Sequence, residues 1–231
     1  MPTYYVKDLA KASVTELWRV AKREPKAVLG LLLILRAKIL GKPARMGHPF
    51  NPLDTKIIEY SDVPEDVWRC QQPLVSPILA AGFTPIFAIQ QSQPDGANGY
   101  SLVFQSANGL ISASALYGYV KTGDMELQES CLVLSSRRTN GTVLATSNAR
   151  PILLDPPEIE IIYLQKAAPE KLLARHQKRL TKLTDLVLLT PDDTRRRIQS
   201  IVQRNADFHI SRGLYSPATA DELRRFGLLS S

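Results

Sequence analysis

Residues 100–115, YSLVFQSANGLISASA, and residues 132–149, LVLSSRRTNGTVLATSNA, decide the fold. Each sets an Asn-Gly pair between runs of strand-forming residues, and Asn-Gly suits a two-residue hairpin turn whose central residues both take positive φ. With Asn108-Gly109 as the turn, Ser106 falls opposite Ile111, Phe104 opposite Ala113 and Leu102 opposite Ala115 on one apolar face. Ser101, Val103, Gln105, Ser112 and Ser114 make a mostly polar reverse, so register and two-faced pattern support each other. The same treatment of Asn140-Gly141 sets Arg138 opposite Val143, Ser136 opposite Ala145, Leu134 opposite Ser147 and Leu132 opposite Ala149 on the apolar side. Its other face carries Arg137 against Leu144, Ser135 against Thr146, Val133 against Asn148 and Cys131 against Arg150.

Outward from the hairpins, TPIFAIQQ (84–91) and EIEIIYLQ (158–165) complete an antiparallel meander of about six strands. One face packs on helices from both termini and the other is partly wet, which makes the chain an α+β protein. QPDGANG (93–99) has turn chemistry and KTGDME (121–126) reads as an exposed connection. Before the sheet, a short strand at TKIIEY (55–60) leads into a helix over 61–83, with Ser61 or Asp62 as cap and Pro64, Glu65 and Asp66 in its first turn. Pro73 and Pro77 break or kink it, and Val67, Cys70, Leu74, Ile78 and Leu79 supply its buried stripe. After the sheet, 168–183 places Leu172, Leu173, His176, Leu180 and Leu183 along one helix side. Residues 190–210 open with Thr190 as cap, Pro191, Asp192 and Asp193, and 218–227 forms a short last helix.

The net charge of +7 is unevenly spread. Residues 1–53 hold ten Lys/Arg against three Asp/Glu, residues 54–168 seven against twelve, and residues 169–231 twelve against seven. These spans divide the chain into a basic apolar arm with a Pro/Gly-rich linker at 41–56, a main domain, and C-terminal helices that pack on it. In the arm, AVLGLLLIL (27–35) is unbroken but shorter than the ~20 residues a membrane span requires. It follows a helix over 13–24, is flanked by cations, and stops at Gly41 and Pro43. Such a segment packs against its own core or a second copy, lies on an anionic lipid surface, or enters a partner groove. Lys22, Arg23, Lys26, Leu32, Leu35, Arg36, Lys38 and Ile39 are the residues expected at a membrane or partner contact.

The polar hairpin face would present Arg137, Thr146, Asn148 and Arg150 beside Ser135, where guanidinium, hydroxyl and amide groups together could hold a carboxylate or phosphate. The bland alternative is an ordinary solvated sheet face. His176 reads as a packed, hydrogen-bonded residue, and Arg195, Arg196 and Arg197 as a solvated helix start with Asp192 and Asp193 near enough to pair. Cys70 and Cys131 read as reduced core residues of a reducing compartment, and no motif for a metal, phosphate loop or catalytic nucleophile is present. The expectation is a cytoplasmic protein, peripheral where the arm meets lipid, with no cofactor. Its role would be non-catalytic interaction through self-association, a protein partner or an anionic membrane. A ligand-binding protein or enzyme using the polar sheet face is the competing reading, and nucleic-acid binding through the basic termini a third.

Overall fold

In a computed structural model of the chain, residues 3–23, 28–92, 98–122, 125–151 and 153–229 are described, with side chains omitted at 20–23, 28–29, 92, 98, 120–122 and 125–127. The main sheet has seven strands. In spatial order they are β3 (Thr55–Ile58), β4 (Phe83–Ser92), β5 (Asn98–Ser106), β6 (Ser112–Thr122), β7 (Met125–Arg137), β8 (Val143–Ser147) and β9 (Ile159–Tyr163). The six expected strands are therefore joined at one edge by TKIIEY, and the last pairing, β8 with β9, is parallel. The reason for the parallel pairing is the connection: the segment after β8 carries Pro151, Pro156 and Pro157 and returns β9 to its start. The connections at 93–97 and 123–124 lie outside the described residues.

The first hairpin has the expected register, with Phe104 opposite Ala113 and Leu102 opposite Ala115. Its loop is four residues long, closed by Ser106 N–H to Ile111 O at 2.9 Å, and only Gly109 takes positive φ. Two extra residues leave the parity unchanged. The second hairpin corrects the sequence reading by one position. Arg138 N–H donates to Thr142 O and Gly141 N–H to Arg138 O, each at 3.0 Å, so the loop is Thr139–Asn140–Gly141 and Gly141 alone has φ of 89°. A three-residue loop shifts every pair, setting Leu134 opposite Thr146, Ser135 opposite Ala145 and Arg137 opposite Val143. Because side chains alternate, the whole of β8 changes faces.

Helices cover both faces rather than one. On the first face α3 (Glu65–Ala80) and α4 (Pro169–Leu180) pack over Leu102, Phe104, Ala113, Ala115, Leu132, Leu134 and Leu144. The helix α3 continues through Pro73 and Pro77 as one element; it buries Val67, Gln71, Val75 and Ile78, while Leu79 is exposed. His176 of α4 is fully buried between Ser136 Oγ and Thr146 Oγ1, each 3.0 Å away. Since Ser136 gives its proton to Leu110 O at 2.7 Å, His176 Nε2 must donate to Ser136, and Nδ1 must accept from Thr146. That pairing holds only the neutral imidazole.

The second face meets α5 (Pro191–Ser211), whose N-terminus is closed by a reciprocal Thr190–Asp193 capping box. Beside it lies a small antiparallel sheet with β1 (Tyr5–Asp8) between β2 (Arg45–Phe50) and β10 (Tyr215–Pro217). The residues expected as an extended linker thus include a strand. The helices α1 (Val14–Arg23) and α2 (Val28–Ile39) build a second core there, with Ala12, Leu17, Leu31, Ile34 and Leu214 buried together. A short helix α6 (Ala220–Arg225) follows β10 and joins the small sheet through the Arg45–Glu222 ion pair at 2.9 Å.

Burial, helped by the nearby Arg179 and Arg197 charges, brings the His176 pKa down to about 4, and burial brings that of His209 down to about 4 as well. A histidine with a depressed folded pKa stabilises the fold above its unfolded value near 6.5, and this stabilisation is lost as pH falls through the folded value. For His176 the full effect is about 3 kcal/mol. Urea denaturation should show stability falling between pH 6.5 and 4, and His176→Gln should make that dependence shallower; an unchanged slope would contradict the buried neutral pairing.

Candidate functional site

On the second face of the sheet the side chains are small at the centre and aliphatic around it. Cross-strand pairing brings Ser114 beside Val103 and Val133, sets Gly99 against Gly118, and sets Ala145 against Ser135 and Ile161. A Cβ built on Gly118 meets nothing within 4 Å. Opposite this floor stand Ile198, Ile201, Val202 and Asn205 of α5, with Met46, His48, Phe50 and Tyr215 of the small sheet. Between them lies a cleft of about 960 Å³. Leu116, Val133, Val143, Ile159 and Ile161 make its wall predominantly apolar, and Ser101, Ser114, Ser135 and Asn205 provide scattered hydrogen-bonding groups.

Two ionisable groups at the wall are spoken for by their surroundings: Asp155 by Tyr163, and Cys131 by burial. Tyr163 donates to both Asp155 oxygens at 2.9 and 3.0 Å, and burial raises the pKa of each. Burial, reinforced by Glu129, pushes the Cys131 thiol up to about 11, so it is protonated at neutral pH and a poor nucleophile. Among the described residues no three His, Cys, Asp or Glu converge on a point where a metal ion could be held.

The four residues expected on one polar face are divided by the shifted register. Arg137 lies two residues beyond Ser135 on the cleft side, and Arg150 is exposed at the cleft wall. Thr146 is fully buried on the opposite face against His176. Asn148 is structural: its Oδ1 accepts from Leu132 N–H at 2.7 Å and its Nδ2 donates to Ala167 O at 3.1 Å. Sequence reading also misplaced Arg197, which is buried and not solvated. The expected solvated arginine run divides three ways: Arg196 pairs with Asp193 at 2.7 Å, Arg195 lies 5.2 Å over the Phe87 ring, and Arg197 is buried on Ser112 and Ser135. Its signal was the inward stripe Ile198, Ile201 and Val202, which draws the preceding turn of α5 toward the sheet.

The arm residues also separate. Leu35 joins the second core, and Lys38 Nζ donates to Ala10 O and Ala12 O, both at 2.9 Å. Leu32 is 57% and Ile39 84% exposed; with Leu33, Arg36 and Leu40, also exposed, they share one side of α2 and its C-terminal end. Lys22, Arg23 and Lys26 lie outside the residues whose side chains are described. No helix among the described residues is long and apolar enough to cross a membrane. In comparisons with protein-family models, curated proteins and solved structures, the chain matches none.

Alkylation of Cys131 by iodoacetamide, read peptide by peptide in a mass spectrometer, should be slow at pH 7.5 and rise about tenfold per pH unit up to about 11. A rate that levels off below pH 9 would mean that the cleft holds an activated thiolate.

Proposed function

We propose that the protein binds a small molecule with a predominantly apolar body in the cleft between the main sheet, α5 and the small sheet. The observation that carries this reading is the cleft itself: about 960 Å³ with a predominantly apolar lining in which polar side chains are dispersed. A cavity of that size and lining is typical of ligand sites. It also would not persist for packing reasons, since filling it with larger side chains at Gly118 or Ser114 would bury more apolar surface. Binding is favoured over catalysis because the Cys131 thiol stays protonated and Asp155 is held by Tyr163. The neutral dye Nile red should brighten on binding the wild-type protein, and Gly118→Phe should weaken that by at least about tenfold with unchanged thermal stability. No enhancement by the wild type, or full binding by the stable variant, overturns the reading.

A second reading rests on a separate observation, the apolar side of α2. Leu32, Leu33, Ile39 and Leu40 surround Arg36 on a helix whose other side packs on its own core. The first 53 residues carry ten cations against three acids, so an anionic membrane is the surface that matches both the apolar and the charged groups. Deleting the arm would remove the central strand of the small sheet, so substitution is the informative test. The protein should sediment with phosphatidylserine vesicles and not with phosphatidylcholine vesicles, and Leu32→Asp with Ile39→Asp should abolish this; failure to sediment with either vesicle overturns the membrane reading.

A further inference from the structure

Two hydroxyls lie free on the floor of the cleft. Alternation along β5 and β6 sends Leu102 and Ala113 into the core under α3 and α4, so Ser101 and Ser114 face α5 instead, and both line the cleft half-buried. Ser101 pairs with Leu116 and Ser114 with Val103, which makes the two serines diagonal neighbours about 7 Å apart on adjacent strands. Neither side chain is hydrogen-bonded within the described chain, and neither oxygen is sealed from the cleft. Other serines of this face are in use, since Ser112 and Ser135 both accept from Arg197. Aliphatic side chains surround the free pair: Ile89 lies across from Ser101 and Val133 across from Ser114, with Val103 and Leu116 between them.

Charge along the cleft is balanced. Lys7 and Arg150 stand against Glu129 and Asp155; the first three are exposed, and Asp155 accepts from Tyr163. In the row of Ser101, the ionisable side chain is Cys131, opposite Leu116, and burial keeps it a neutral thiol. An ion set on the two hydroxyls would lose its water with no counter-charge beside it, which makes its burial costly. A neutral oxygen loses less on leaving water and regains it from the hydroxyls.

Resting on the ligand-binding reading of the cleft, we infer that the ligand is uncharged and carries a carbonyl or hydroxyl oxygen within its apolar body, where Ser101 and Ser114 hydrogen-bond it. A serine hydroxyl both donates and accepts, so the pair takes a ketone, an ester or an alcohol. The aliphatic side chains around the serines cover the carbon on each side of that oxygen. A fatty acid, whose charge sits at the chain end, offers this floor only its hydrocarbon and leaves both hydroxyls unmatched.

Displacement of Nile red from the full-length protein by dihexyl ketone, the corresponding secondary alcohol and tridecanoate tests this, each read as a dissociation constant corrected for the dye's own affinity. The ketone or the alcohol should bind at least about tenfold more tightly than the carboxylate. Ser101→Ala with Ser114→Ala should bring that ratio close to one at unchanged thermal stability. Each single substitution should lower it in part, which keeps the assignment testable should the double variant fail to fold. Tridecanoate binding as tightly as both neutral compounds overturns the inferred ligand class, and a ratio that survives the loss of both hydroxyls overturns the role of the serines. Either result leaves the cleft reading standing, because the dye still binds. Absence of dye binding removes the cleft reading and this inference with it.

Discussion

The carboxylate of Glu16 is where the two ends of this chain are tied to its middle. At 1% exposure it accepts from Arg212 Nη1 and Nη2, at 2.9 and 2.6 Å, from Leu154 N–H at 2.8 Å and from Ser13 N–H at 2.7 Å. Burial alone would raise its pKa, yet Arg212 and the two amides hold it near 2. Removing one member of such a buried pair costs about 3–5 kcal/mol, more than a single surface contact could return. Three elements meet on this one side chain: the start of α1, the connection between β8 and β9, and the residue that ends α5. That junction ties α1 and the end of α5, which lead into the small sheet, to the β8–β9 connection at the edge of the main sheet.

The two faces of the main sheet are built for different purposes. On the α3 and α4 side, Phe104, Leu102, Leu132 and Leu134 interdigitate with helix side chains, and the buried His176 is satisfied at both nitrogens. On the α5 side, serine, glycine and alanine occupy the middle of the sheet, so the covering elements cannot reach the floor and a cavity remains. Asp155 at that face accepts from Tyr163, and the buried Arg197 donates through Nη2 to Ser112 and Ser135.

The arm illustrates how an apolar run is divided by tertiary packing. Its composition suited either burial or a lipid surface, and α2 shows both kinds of side: Leu31, Ile34 and Leu35 enter the second core, while Leu32, Leu33 and Ile39 remain exposed. Lys38, which reads from sequence as a surface cation, instead closes the carbonyls of Ala10 and Ala12.

Local signals in the sequence determined the element types. Asn-Gly pairs marked both hairpins, Thr190 and Pro191 marked the start of α5, and alternation along 100–115 placed Leu102 and Phe104 on the core face. These depend on a few neighbouring residues, and so they are legible without a fold. Only the tertiary structure decided which turn length Asn140-Gly141 would take, and with it the face of every residue in β8; Thr146 moved to the core for that reason, while Arg137 of β7 kept the face expected of it. It alone joined β1 to β10 across almost the whole chain, and turned Arg197 inward to two serines 62 and 85 residues away in sequence. The physical reason is that loop parity, long-range pairing and the burial of a charge are settled by the free energy of the assembled layers, which no short window of sequence contains.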